Sequence, residues 1–131
     1  MFKSTNISDY MLHNPVKVRS DDSIESAIKV IIDNKISGVC VIDASSNLIG
    51  VLSEMDCLRA ILSAVYNNTN SVGDVSEFMS SDKLIVSHPN EDIVDIAQDM
   101  LKQNKRRRPV VRDGQLVGQI TCRQLLAAVT N

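Results

Sequence analysis

The chain states one pattern twice. Ile7-Ser8-Asp9-Tyr10-Met11 returns roughly 70 residues later as Val75-Ser76-Glu77-Phe78-Met79, and each pentad is followed by the same order of apolar segments. Such a repeat constrains folding strongly, because each copy is one supersecondary unit whose apolar face needs a neighbour to cover it. A second repeated stretch bears on chemistry. Gly50-Val51-Leu52-Ser53-Glu54-Met55-Asp56 matches Gly118-Gln119-Ile120-Thr121-Cys122-Arg123-Gln124 in form, but its last residue changes from acid to amide.

The local patterns predict one βαββα-like unit per copy. Pro15-Val16-Lys17-Val18 reads as a short strand, since proline biases Asn14 away from the helical region and valines favour extended backbone. Asp22, with Glu25 three residues on, is the expected cap of a helix carrying Ile24, Ala27, Ile28 and Ile31 inward and Glu25, Lys29 and Asp33 outward. Val39 to Ile42 and Leu48 to Leu52 form a hairpin around the turn at 43–47, and Ser53 caps a helix whose apolar stripe is Leu58, Ile61, Leu62 and Val65. The second copy runs in parallel. Leu84-Ile85-Val86 is the expected short strand, Pro89 to Asp92 opens a helix with Val94, Ala97, Met100 and Leu101, and Asp113-Gly114 turns the hairpin. Thr121 caps a last helix bearing Leu125, Leu126 and Val129.

The fold class expected is α+β: two tandem βαββα repeats, 7–66 and 75–130, joined by a linker at 67–74 within a single module spanning 1–131. A copy of about 60 residues buries too little surface to stand comfortably alone. Packing the two sheets together would give one shared core with pseudo-twofold symmetry and a cleft on each side.

Bulk properties narrow the function. Cys40, Cys57 and Cys122 are odd in number and sit in apolar segments, so they read as core residues of a reduced, cytoplasmic protein. No apolar run approaches the ~18 residues a membrane span needs, and Met1 to Asn6 lacks the apolar core of a signal peptide. A net charge of −2 and scarce aromatics argue against general nucleic-acid binding. His13 and His88 are not spaced as a metal pair, so no metal is expected. No nucleophilic triad, paired-carboxylate site or glycine-rich phosphate loop is evident, so no enzyme is expected.

These features resemble the paired cystathionine-β-synthase (CBS) domain module. The resemblance rests on the pentads Ile7 to Met11 and Val75 to Met79, on Arg107-Arg108-Pro109-Val110, and on the element Gly50 to Asp56. It implies a non-catalytic regulatory module that binds an adenine-containing ligand: AMP, ADP or ATP, with S-adenosylmethionine or NAD also in the class. It also implies a homodimer through stacked helices, and ligand presence transmitted to an unidentified protein partner.

Asp56 has two readings. Ser53-x-x-Asp56 is a capping box, and so is Thr121-x-x-Gln124; equally, a carboxylate on the first turn of a helix can accept both hydroxyl hydrogens of a ribose. Lys105-Arg106-Arg107-Arg108 is a helix-end charge run or a phosphate cradle, guanidinium being the side chain best shaped for bidentate phosphate binding. The resemblance combines the functional readings into one cleft of Ser53, Asp56, Lys83, Leu84, Ile85, Arg106, Arg107 and Pro109. A second, weaker cleft would use Val16, Lys17, Ser37, Gly38, Thr121, Arg123 and Gln124, with Val39 in the proline's place. The alternatives are a nucleic-acid or protein interaction module using the Arg106 to Arg108 patch, and a structural dimer with vestigial sites.

Overall fold

The computed structural model describes residues 1–130. In chain order these form a 3-10 turn at Ile7–Asp9, then β1 (Leu12–His13), β2 (Lys17–Arg19), α1 (Ile24–Asp33), β3 (Gly38–Ile42), β4 (Leu48–Ser53), α2 (Glu54–Tyr66), α3 (Val75–Phe78), α4 (Ile93–Gln103), β5 (Arg107–Arg112), β6 (Gln115–Thr121) and α5 (Cys122–Val129). The architecture is mixed α/β with two βαββα-like repeats. It gathers into two compact units that are cut differently from the sequence repeats: one is Val16–Leu84, the other joins Met1–Pro15 to Ile85–Asn131. Each pentad therefore packs in the unit built by the other repeat.

In the Val16–Leu84 unit the sheet order is β2-β3-β4, with β2 parallel and β4 antiparallel to β3. The central strand β3 is buried along its whole length, which is why its sequence is an unbroken small-and-apolar run. Val18, Val39, Val41 and Leu52 from the sheet meet Ile24, Ala27 and Ile31 of α1 and Cys57 and Ala60 of α2 in one core. Gly73 O accepts from Ile24 N, and Val72 packs on this core, so the end of the 67–74 stretch is tied down. At the hairpin turn, Asn47 donates its backbone and side-chain N–H groups to Asp43 and holds that carboxyl below its usual range.

The other unit has sheet order β1-β6-β5, with both pairings antiparallel. Ile7, Met11, Ile93, Ile96, Met100, Val110, Ile120 and Leu125 make its core. Asp113 and Gly114 both take positive φ, the conformation that a two-residue hairpin turn demands and that Asp-Gly supplies at little cost.

Four expectations are corrected. The α1 cap is Ser23, whose Oγ accepts from Ser26 N, while Asp22 turns back to accept from Arg19 N. The α2 stripe of Leu58, Ile61, Leu62 and Val65 is exposed; the buried face of α2 is Asp56, Cys57 and Ala60. On α4 the buried residues are Ile93, Ile96 and Met100, leaving Val94 and Leu101 outside.

Leu84-Ile85-Val86 is not a strand, and prolines give the reason. Only Ser87 bridges β5, with its N donating to Pro109 O and its O accepting from Val111 N. The next bond upstream would need an N–H from Pro109. The next downstream would need one from Pro89, which stands where Ser20 N donates to Ile42 O in the first repeat. Proline supplies neither donor, so the ladder stops after one rung.

Candidate functional site

Ser53 ends β4 in extended backbone and caps α2. Its Oγ accepts from Asp56 N at 3.1 Å, and Asp56 Oδ2 accepts from Ser53 N at 2.9 Å, a reciprocal capping box. Asp56 Oδ1 accepts from Arg59 Nη2, one helical turn on. The Asp56 side chain is only 5% exposed, so its charge is balanced by one backbone amide and a guanidinium rather than by water. Arg59 was visible in principle as an acid-to-base pair three residues apart on a helix, a spacing that places the two side chains on one face. Next to this cap, burial pushes the Cys57 thiol up, with the Asp56 and Glu54 carboxylates adding to the effect.

The basic run divides along the pleat of β5. Alternate residues of a strand point to opposite faces, so Arg107 and Pro109 share one face and Arg108 and Val110 the other. Arg108 faces the core: it is 5% exposed, and its Nη2 donates to Asp99 Oδ2 of α4 at 2.6 Å. Arg106 is exposed and Arg107 half-buried. The Arg106 carbonyl accepts from Cys122 N at 2.9 Å, which fixes the start of β5 beside the Thr121 cap. A patch of Arg106 to Arg108 therefore loses its third member, because a buried guanidinium needs a fixed counter-charge and Asp99 provides it. Neither Asp99 nor Ser87, whose hydroxyl is fully buried without a hydrogen-bond partner, was singled out from sequence.

Of the expected first cleft, Ser53, Asp56, Lys83 and Leu84 belong to the Val16–Leu84 unit; Ile85, Arg106, Arg107 and Pro109 belong to the other. Lys83 is exposed with φ 55°, and Leu84, Ile85 and Val86 are half-buried. Of the expected weaker cleft, Val16, Lys17, Ser37 and Gly38 lie in the first unit and Thr121, Arg123 and Gln124 in the second. Gln124 caps α5 as Asp56 caps α2, its Oε1 accepting from Thr121 N at 2.8 Å. The hairpin registers pair Gly38 with Ser53 and Arg107 with Thr121, so the residue in the proline's place is Cys40, not Val39.

Among the described residues no three His, Cys, Asp or Glu side chains gather as a metal centre requires, and no helix is long and apolar enough to cross a membrane.

Comparison with known proteins bears on this arrangement. The family model for the CBS domain matches residues 7–63 and again 72–131. Uncharacterized protein MJ1225 of Methanocaldococcus jannaschii is 30% identical over 115 residues, covering 88% of this chain and 39% of that protein. Inosine-5'-monophosphate dehydrogenase of Aquifex aeolicus is 34% identical over 118 residues, covering 88% of this chain and 23% of that enzyme. The chain thus spans well under half the length of these relatives. Among solved structures, CBSX2 in complex with AMP has a TM-score of 0.84 at 26% identity and covers 97% of each chain. The CBS domain pair of protein MJ0100, in complex with 5'-methylthioadenosine and S-adenosyl-L-methionine, has a TM-score of 0.78 at 25% identity and covers 96% of each chain. With one match on each repeat and the fold shared along nearly the whole chain, this protein belongs to the CBS domain family.

Proposed function

We propose that this chain is a non-catalytic regulatory module that binds an adenine-containing ligand of the AMP, ADP or ATP class and transmits its presence to a protein partner. S-adenosylmethionine and NAD belong to the same ligand class. Ser53 and Asp56 hold the ribose, Arg106 and Arg107 the phosphate, and Lys83, Leu84, Ile85 and Pro109 the base. Support comes from the solved CBS pairs that contain AMP or S-adenosyl-L-methionine.

The observation that carries the reading is the state of the Asp56 carboxylate. Its two oxygens offer about four acceptor positions, and the cap and Arg59 occupy two of them. Cap and ribose contact are therefore compatible roles for one residue. The half-buried, unladdered segment at 84–86 adds apolar surface with backbone groups outside the sheet, suited to a base edge. The second set, Val16, Lys17, Ser37, Gly38, Thr121, Arg123 and Gln124, is a weaker site, since an amide replaces the acid and the arginines have no counterparts there.

The exposed α2 stripe, with Ile32 and Met55 beside it, supports a homodimer through stacked helices. Three free cysteines, two of them buried, suit a reducing, cytoplasmic compartment.

Isothermal titration with AMP, ADP, ATP, S-adenosylmethionine and NAD tests the reading. Asp56→Asn should keep the fold, because Asn also caps, while weakening the bound nucleotide by roughly 1–3 kcal/mol. Arg107→Ala should weaken it by a similar amount. Heat from none of these ligands, or unchanged affinity in both variants, overturns the assignment.

A further inference from the structure

A second pocket lies wholly within the unit formed by Met1–Pro15 and Ile85–Asn131. Its volume is about 540 Å³, and Lys3, Asp9, Tyr10, Gln124, Ala127 and Ala128 line it. That is within the range of roughly 300–1,000 Å³ typical of small-molecule sites.

The other repeat explains why this pocket is open. Gln124 is the third residue of α5 as Asp56 is of α2, so Ala127 stands where Arg59 stands. Arg59 reaches back to Asp56 Oδ1. Ala127 has no side chain to do so, and the corresponding space near Gln124 is unfilled. The polarity of the capping residue is inverted as well. Gln124 spends Oε1 on the cap, and its Nε2 donates to no described residue, so a donor stands where Asp56 has an acceptor.

The rest of the lining is held by its own hydrogen bonds. Ser4 N donates to the Tyr10 hydroxyl at 3.1 Å, the hydroxyl donates to Ser4 O at 2.7 Å, and Ser4 Oγ donates to Asp9 Oδ2 at 2.6 Å. The counterparts of Asp9 and Tyr10 in the Val16–Leu84 unit are Glu77 and Phe78. Glu77 spends its carboxylate on the Asp74 N–H, and phenylalanine has no hydroxyl to hold such a wall. Asp9 keeps acceptor capacity beyond the Ser4 bond, and the Lys3 ammonium pairs with no described residue.

The pocket thus presents one cation and one amide donor, one anion, and an apolar floor of Ala127, Ala128 and the Tyr10 ring. A purely anionic ligand would meet Asp9 and a purely cationic one would meet Lys3. A small zwitterion satisfies both. We propose that this pocket binds a free α-amino acid, its carboxylate on Lys3 and Gln124 Nε2, its ammonium on Asp9, and its side chain over Tyr10, Ala127 and Ala128. It shares Gln124 with the weaker adenine cleft and no residue with the cleft of Ser53, Asp56, Arg106 and Arg107.

The test is a thermal-shift and ¹H–¹⁵N NMR titration of the whole chain with each standard amino acid singly. Controls are the matching amine without a carboxylate and the matching acid without an ammonium. The expected result is stabilisation by at least one amino acid and by neither control, with amide shifts concentrated at 4–10 and 121–128. Ala127→Arg, which copies Arg59, should abolish the response while leaving the AMP affinity that depends on Asp56 and Arg107 as in the parent chain. Gln124→Glu keeps a capping residue but turns the donor into an acceptor, and should cut affinity by about tenfold or more. The proposal is overturned if no amino acid shifts the parent chain, if a control binds as well as the amino acid, or if the response survives Ala127→Arg.

Discussion

Gly50 and Gly118 show how closely single atoms are specified. A Cβ on Gly50 would lie 2.7 Å from Met79 Sδ and 3.0 Å from Ser80 O, and one on Gly118 would lie 2.7 Å from Met11 Sδ and 3.1 Å from Leu12 O. The last residue of each pentad thus sits on the glycine of a hairpin, in both units. Both glycines are required by this close approach, not by backbone angle. Gly118→Ala should therefore overpack the contact and destabilise by about 1–3 kcal/mol, read as a lower Tm. The flexible thioether can yield, so Gly118→Ala combined with Met11→Ala should recover part of the loss. Recovery of nothing would mean that the Leu12 backbone, not Met11, is the obstacle.

At the scale of elements, one core position is built in two chemistries. The helix and strand registers make Val18, Val30 and Val39 of the first repeat equivalent to Ser87, Asp99 and Arg108 of the second. Val18 and Val39 are buried and Val30 packs against them; Ser87 and Arg108 are buried, and Arg108 pairs with Asp99. The polar version leaves Ser87 Oγ and Arg108 Nε without hydrogen-bond partners. Unsatisfied buried polar atoms each cost roughly 1–3 kcal/mol, so copying the apolar set should stabilise. The triple substitution Ser87→Val, Asp99→Val, Arg108→Val is expected to raise Tm in calorimetry. Arg108→Ala alone should lower stability by about 2–4 kcal/mol, since it strands Asp99 and opens a cavity. A triple variant less stable than the parent would show that the polar set does more than fill space.

At the scale of the molecule, the units are assembled from segments far apart in sequence. Ile7 to Met11 close the core of the 85–131 segment, and Val75 to Met79 close that of residues 16–66. A fragment spanning 16–84 should therefore show stronger amide-exchange protection than one spanning 1–66, although 1–66 contains the whole first repeat, 7–66. Equal protection would contradict this exchange of pentads. The exposed α2 stripe makes a further expectation: Leu58→Glu with Leu62→Glu should convert the proposed dimer to monomer in sedimentation without lowering Tm in the monomeric state. The sequence by itself determined what depends on neighbours in the chain: the repeat, the family, the Ser53 and Thr121 capping boxes and the Asp113-Gly114 turn. These follow from periodicity, caps and turn chemistry, which act over a few residues. Only the tertiary structure decided which pentad serves which core, that Asp99 neutralises Arg108, that the apolar stripe of α2 faces outward, and that two prolines reduce 84–87 to a single rung. Each of those turns on a partner many residues away or on the register of a neighbouring strand, and local pattern carries no information about either.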